Sequence, residues 1–267
     1  MNVLKIQDIY IYPVKSLGGF RVQKAILENR GFQHDRRWML VDENDRFLSQ
    51  RELPQLALFL VSQKDSCFKI TFRSNPNSEF DLPFVVDQGE NVIVSVWEDS
   101  CAAIEYIKGS QWFSEQLDIN CKLVYMPDSS IRFVEKEYAH NNEIVSFSDA
   151  YPLLLIGQGS LDDLNKKLKI PIGMERFRPN LVVDTDKAFE EDEWKQIQIN
   201  SIVVTIARPC ARCAVPSINP NTAEKEKEPG ATLAQFRKRD STIYFGQNIL
   251  PKENGTICCG DVVKVIQ

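Results

Sequence analysis

The amino-acid sequence predicts a mainly β fold of the α+β class, carrying a few short helices. Short strand-like runs recur along the chain, polar or Gly/Pro-containing turns separate them, and helical periodicity is confined to brief stretches. Residues 6–12 alternate, with Ile9 and Ile11 on one face and Tyr10 and Tyr12 on the other. Runs at 38–42, 56–62, 68–72 and 92–97 follow. This spacing suits an antiparallel barrel or sandwich better than a parallel α/β sheet. A helix is expected at 111–117 behind Ser110 as a cap. Ser160 with Asp163 reads as a capping box opening a helix at 161–168, and Thr232 with Gln235 as one opening 233–239. Strands are expected at 181–183, 202–207, 243–250 and 262–266, with turn signals at Asn254-Gly255 and Gly260-Asp261. The chain divides into a β-rich unit, 1–120, and a mixed but β-dominated unit, 121–267.

The 267 residues include 43% hydrophobic and 26% charged residues, ordinary for a soluble globular protein. A formal net charge of -5 leaves no global basic field for nucleic acid or an anionic membrane, although local basic clusters remain compatible with it. Residues 1–13 lack the apolar h-region and cleavage site of a signal peptide, and no apolar stretch is long enough to span a membrane. Seven cysteines are an odd number, with Cys67, Cys101 and Cys121 single in apolar surroundings. That argues against a disulfide framework and for a reducing, cytoplasmic setting.

The densest chemistry lies in Arg208-Pro209-Cys210-Ala211-Arg212-Cys213-Ala214-Val215-Pro216. The prolines are expected to end the strand near Ala207 and stiffen a loop, holding both thiols at a strand end outside the sheet. Arg208 and Arg212 favour thiolate over thiol, which suits a ligand or a nucleophile. The Cys-x-x-Cys spacing alone is compatible with zinc, a redox disulfide or packing. Zinc needs further ligands, which Cys258-Cys259 supply only if both reach one metal; otherwise they pack in a final β-hairpin. A thioredoxin-like role expects the pair at a helix start, and here a strand precedes it.

Basic and polar clusters lie elsewhere. Lys15 and Ser16 stand beside Gly18-Gly19, where backbone N–H groups can approach an anion, or where an ordinary strand exits with a solvated lysine. Asp35-Arg36-Arg37-Trp38 offers planar guanidinium forks for phosphate, or a surface ion pair beside a packed tryptophan. Arg176-Phe177-Arg178-Pro179-Asn180 is expected to place two arginines on one side of an extended segment. Glu190-Glu191-Asp192-Glu193 reads as an acidic surface turn. Two histidines, His34 and His140, leave little material for histidine metal sites or triads.

Taken in order, Tyr-Pro-Val-Lys-Ser at 12–16, Asp-Arg-Arg-Trp at 35–38, Ser-Asp-Ala-Tyr-Pro at 148–152, Phe-Arg-Pro-Asn at 177–180, Cys-Ala-Arg-Cys at 210–213 and Phe-Gly-Gln-Asn at 245–248 resemble the MOSC superfamily. The similarity is greatest to its two-part members, typified by the mitochondrial amidoxime-reducing component and its bacterial relatives. It implies a β-barrel MOSC domain behind an N-terminal β-rich MOSC-associated domain. It also implies a Mo-molybdopterin cofactor, with the Cys213 thiolate ligating molybdenum beside two pterin sulfurs. Lys15, Ser16 and Arg36 would contact the phosphate-bearing end. Arg178, Asn180 and the loop around Tyr151 would contact the pterin, and Arg212 and Asn248 would line the metal side. Asn248 stands where eukaryotic relatives carry tyrosine, and Ala150-Tyr151 replaces a small hydroxylic pair; both departures lie at the implied cofactor pocket, so the resemblance does not carry substrate preference over. The implied reaction is two-electron reduction of N-hydroxylated or N-oxide small molecules by oxygen-atom abstraction at molybdenum. A ferredoxin-type Cys-x4-Cys-x2-Cys run is absent, so a separate ferredoxin- or reductase-type electron donor is expected. The alternative is a sulfur-carrier or cofactor-binding module using a Cys213 persulfide, and the superfamily is also associated with pyridoxal phosphate.

Overall fold

The computed structural model describes residues 3–135, 139 and 142–267, so His140 lies outside the described residues. The chain is mainly β, as expected, with three α-helices among the described residues: α1 (Ile107–Leu117), α2 (Gln158–Lys167) and α3 (Gly230–Phe236). The largest sheet runs in the order Val263–Val265, Gln196–Ile199, Ile202–Ala211, Thr242–Pro251, Leu153–Gly157, Leu181–Val183, Ile6–Ile11, Phe20–Val22. Its pairings are antiparallel except that of Leu153–Gly157 with Leu181–Val183. A parallel pair needs a long crossover, and α2 supplies it. The Leu-Leu-Leu-Ile-Gly strand lacks alternation because it is buried throughout, and so gives no period-2 signal.

Pairing crosses position 120 repeatedly. Ile9 sits opposite Leu181, Lys24–Glu28 pairs with Gly255–Cys258, and Trp38–Val41 pairs with Lys122–Tyr125. Sequence neighbours therefore separate in space, and the loops after the first strand come to lie beside those after Val145. One core packs Ile6, Ile9, Leu155, Leu181, Ile197 and Ile249 beneath the large sheet; a second gathers Trp38, Phe59, Phe68, Phe113 and Tyr125.

The helix starts differ from expectation: Ser110, Ser160 and Thr232 lie inside their helices, and carboxylates close by in sequence at α1 and α3, or far off in sequence at α2, take the groups a cap would use. Ser110 Oγ donates to Glu105 Oε1 at 2.8 Å and accepts the Leu123 N–H at 2.9 Å. Ser160 Oγ donates to Glu191 Oε1 at 2.7 Å and accepts the Phe189 N–H at 2.8 Å. At α3 the Glu228 carboxylate accepts the Thr232 N–H at 3.0 Å, and Lys238–Arg239 leaves the helix to pair with Thr242–Pro251.

Other local expectations are corrected as well. The strand expected from residue 56 begins at Phe59, because Pro54 opens a 3-10 turn, Pro54–Leu58. The strand expected to stop at Ala207 runs to Ala211, tolerating Pro209 because register shifts flank it. Glu191 is no surface residue but fully buried (0% exposed), and burial pushes its carboxyl up. Cys258 and Cys259 do not close a hairpin: Gly255–Cys258 pairs with Lys24–Glu28, and Val263–Val265 pairs with Gln196–Ile199. All seven cysteines are free, and no helix among the described residues is long and apolar enough to cross a membrane.

Candidate functional site

A cleft of about 890 Å³, counting its open mouth, lies where three chain regions meet. Lys15, Ser16, Arg36, Tyr151, Arg178, Asn180, Arg212, Cys213 and Asn248 all line it. Hydrogen bonds across wide sequence gaps hold this convergence. Arg36 reaches Asn180 144 positions away, and Arg178 reaches Leu17 161 positions away.

The backbone at the cleft is strained. Ser16, Arg36 and Arg178 occupy the left-handed region, with φ of 69°, 50° and 57°. Non-glycine residues adopt it at a cost of order 1 kcal/mol each, and such residues cluster where surrounding structure fixes a functional geometry. Here the fixing contacts are specific. The Arg36 N–H donates to Tyr12 O at 2.7 Å, and Arg36 O accepts the Phe147 N–H at 2.9 Å. Its guanidinium donates to Asp35 Oδ2 at 2.5 Å, Asn180 Oδ1 at 2.9 Å and Arg178 O at 3.2 Å. Asp35 is 1% exposed and also accepts the Tyr12 N–H, so this is a buried pair and not a surface one.

Both Arg36 and Arg178 lie over the Tyr12 ring, 4.3 and 4.4 Å from its centroid. Burial first, and the neighbouring Arg36 second, disfavour the charge on Arg178, which makes it a cation short of an anion. Arg178 Nη1 donates to Leu17 O at 2.5 Å. Arg176 departs from expectation: it sits in the 3-10 turn Met174–Arg176 and turns to Pro216 O and Glu226. Phe177, wholly buried between the two arginines, sends them to different places. Asn180 is 1% exposed, and its amide is taken by Arg36, the Leu154 N–H and Tyr10 O. It positions Arg36 more than it presents itself to the cleft.

Lys15 is buried and donates to Phe147 O at 2.8 Å and to Asp149 Oδ1. Burial pulls the Lys15 ammonium down, with Asp149 opposing. The Asp149 side chain is 58% exposed, and the Lys15 ammonium beside it holds its carboxyl well below the usual carboxylate range. The loop bearing Asp149 to Tyr151 is pinned by Arg132, which donates to the carbonyls of Ser146, Ser148 and Asp149 at 3.1, 2.6 and 2.7 Å.

Cys213 emerges just beyond the strand end at Ala211 and is exposed on the cleft wall, while Cys210 lies within the strand. Arg212 donates to Cys210 Sγ at 3.1 Å and to Phe177 O at 2.8 Å. Among the described residues no cluster of three or more His, Cys, Asp or Glu is arranged to hold a metal.

The donor set suits an anionic, polar ligand. Among the described residues five cationic side chains line the cleft (Lys15, Arg36, Arg51, Arg178 and Arg212) against one carboxylate, Asp149. Ser148 Oγ and Arg212 Nε are buried without a hydrogen-bond partner, as expected of groups awaiting one from a ligand. A single exposed thiol at one side fits a soft metal that takes most of its sulfur ligands from elsewhere. Ser49, Gln50 and Arg51 line the cleft with no motif in the sequence to mark them, and Asp149 joins them from within the Ser-Asp-Ala-Tyr-Pro segment. Ser49 and Gln50 are polar yet 4% and 5% exposed, a fact no local pattern announces.

A family model described as the MOSC N-terminal beta barrel domain matches residues 3–120, and one described as the MOSC domain matches residues 142–264. The chain is 29% identical to the molybdenum cofactor sulfurase of Oryza sativa subsp. japonica over 95% of its own length, and spans only 34% of that protein. It is 27% identical to mitochondrial amidoxime-reducing component 1 of Mus musculus, covering 98% of this chain and 82% of the mouse protein. A crystal structure of the YUAD protein from Bacillus subtilis aligns over 98% of this chain and 94% of its own, at TM-score 0.47 and 10% identity.

Proposed function

Because the chain belongs to the MOSC-domain family, with its N-terminal beta barrel domain and MOSC domain in tandem, we propose that the cleft holds a molybdopterin-type cofactor and serves the reduction of N-hydroxylated or N-oxide small molecules. The observation carrying this reading is the gathering of five cations and the exposed Cys213 thiol on one cleft of a chain whose net charge is -5. The cofactor, when bound, supplies two-electron oxygen-atom abstraction at molybdenum. The chain's own residues bind and orient it. Cys213 is the protein's thiolate ligand. Lys15, Ser16 and Arg36 grip the anionic tail, with Asp35 and Asn180 fixing the Arg36 fork. Arg178 and Tyr151 flank the pterin, and Arg212 and Asn248 face the metal side, where Asn248 makes room that a tyrosine would fill. A protein electron donor of the ferredoxin or reductase type completes the cycle, in a cytoplasmic setting. Among the described residues Lys15 is the one lysine lining the cleft, and Phe147 O and Asp149 engage its ammonium. That favours molybdopterin over pyridoxal phosphate, which needs an available amine.

The similarity to sulfurases supports a second reading, in which Cys213 carries a persulfide without bound metal. Expression in a molybdopterin-competent host followed by elemental analysis separates the two. Stoichiometric molybdenum, lost on Cys213→Ala and kept on Cys210→Ala, together with reduction of an N-hydroxylated compound by an artificial donor, is the expected result. Zinc without molybdenum would end the proposal. Molybdenum without any such reduction, or a persulfide on Cys213, favours the binding-module reading.

A further inference from the structure

Resting on the cofactor reading above, we infer that Arg51, laid on the ring of Trp97 at the cleft rim, is a further grip for the cofactor's terminal phosphate. Arg51 lines the same cleft as Lys15 and Ser16, and its guanidinium carbon lies 4.3 Å from the centroid of Trp97. What sets it apart is how its donors are used. Lys15 is engaged by Phe147 O and Asp149, Arg36 by Asp35 and Asn180, Arg178 by Leu17 O, and Arg212 by Phe177 O and Cys210. The Arg51 guanidinium makes no hydrogen bond or ion pair among the described residues; only its carbonyl is engaged, by Lys225 at 3.3 Å. A guanidinium carries five N–H donors in one plane. Stacking on an indole face fixes that plane while leaving its donor edge open, the arrangement a phosphate fork requires.

The platform is built into the fold. Gln50 is 5% exposed and donates to Ser16 O at 2.5 Å, so the Ser49–Arg51 segment is tied to the backbone of the Lys15–Ser16 loop. Trp97 stands at the tip between Glu90–Val96 and Asp99–Glu105 with φ of 58°. Its ring packs 5.0 Å from that of Phe47, and its Nε1 lies 3.4 Å from Asp149 Oδ1. Asp149 makes its direct ion pair with Lys15, and the Arg51 charge acts on that carboxylate without a hydrogen bond, so the guanidinium donors of Arg51 stay open. A phosphate dianion entering between Ser16 and the rim meets one cation with every donor unspent. The competing reading is a solvated cation–π pair of no consequence, since Trp97 is 49% exposed.

The test is calorimetric titration of the cofactor-free full chain with inorganic phosphate, alongside molybdenum and pterin content of protein from a molybdopterin-competent host. Arg51→Ala is expected to weaken phosphate binding by about tenfold or more, the scale of a lost charge-assisted hydrogen bond, and to lower pterin content, with no change in unfolding midpoint. Trp97→Ala should weaken it by a smaller factor and Trp97→Phe should restore it, because a flat ring is all the platform supplies. Arg51→Lys should recover only part. Phosphate affinity unchanged in Arg51→Ala, or no phosphate binding by the wild-type chain, overturns the inference. So does a variant whose only defect is a raised KM for carboxylate-bearing substrates, which would assign Arg51 to substrate. Arg51-dependent phosphate binding in a wild-type chain without molybdenum marks failure of the cofactor reading alone; retained molybdenum without Arg51 dependence marks failure of this inference alone.

Discussion

Arg36→Ala tests whether the anion cradle is held in shape by a buried charge pair. The substitution removes the 2.5, 2.9 and 3.2 Å bonds to Asp35, Asn180 and Arg178 O, and leaves the Asp35 carboxylate at 1% exposure without its counter-charge. Removing one member of a buried, hydrogen-bonded pair costs about 3–5 kcal/mol. At a urea dependence of about 2–3 kcal/mol per M, the unfolding midpoint should fall by roughly 1–2 M. The pH dependence carries a second signature. Burial already pushes the Asp35 carboxyl up, with Arg36 pulling against it, so its folded-state value should rise further without Arg36. An acid raised in the folded state favours folding most below its unfolded value, about 3.9, and that advantage is lost as pH rises. The deficit should therefore be largest at neutral pH and shrink toward pH 4. Urea unfolding followed by tryptophan fluorescence at both pH values measures it. A deficit below about 1 kcal/mol, or one of equal size at both pH values, would refute the claim that this pair organises the cleft.

Three further outcomes follow from the same geometry. Asp149→Asn deprives buried Lys15 of the carboxylate that opposes its desolvation, so Lys15 should lose its proton at lower pH; calorimetric phosphate affinity should then decline earlier as pH rises than in wild type, and superimposable profiles would exclude it. Glu191→Gln keeps an acceptor for the Gly157 N–H and Ser160 Oγ while removing a charge that burial disfavours. A raised carboxyl destabilises the fold increasingly above about pH 4.3, so the variant should gain thermal stability over wild type at pH 8 relative to pH 4. Phe245→Ala removes a fully buried ring stacked 4.2 Å from Phe177 and should cost about 3–5 kcal/mol in chemical unfolding. It should also weaken phosphate binding, since Phe177 precedes Arg178 and its carbonyl holds Arg212; unaltered binding would separate the core from the cleft.

The sequence by itself determined the β class, the sites of about half the strands and the order of the basic and thiol motifs. Those properties are local: alternation at 6–12 or 68–72 is written in adjacent residues, and an odd cysteine count argues against a disulfide framework wherever the chain goes. Ser110 and Ser160 look like helix caps in sequence, but Ser110 is taken by nearby Glu105 and the Leu123 N–H, and Ser160 by distant Glu191. The strand Leu153–Gly157 was invisible because burial throughout erases its period. Arg176 and Arg178 look equivalent in sequence, and only the 3-10 turn and buried Phe177 send one to Glu226 and the other to the cleft. The cleft was decided by tertiary structure alone. Pairing of Ile6–Ile11 with Leu181–Val183 brings Arg36 to Asn180 and Arg178 to Leu17, and the Gln50–Ser16 bond adds Arg51, which no motif announced. Convergence of that kind depends on contacts between residues far apart in the chain, and these form only when sheet register places the loops together.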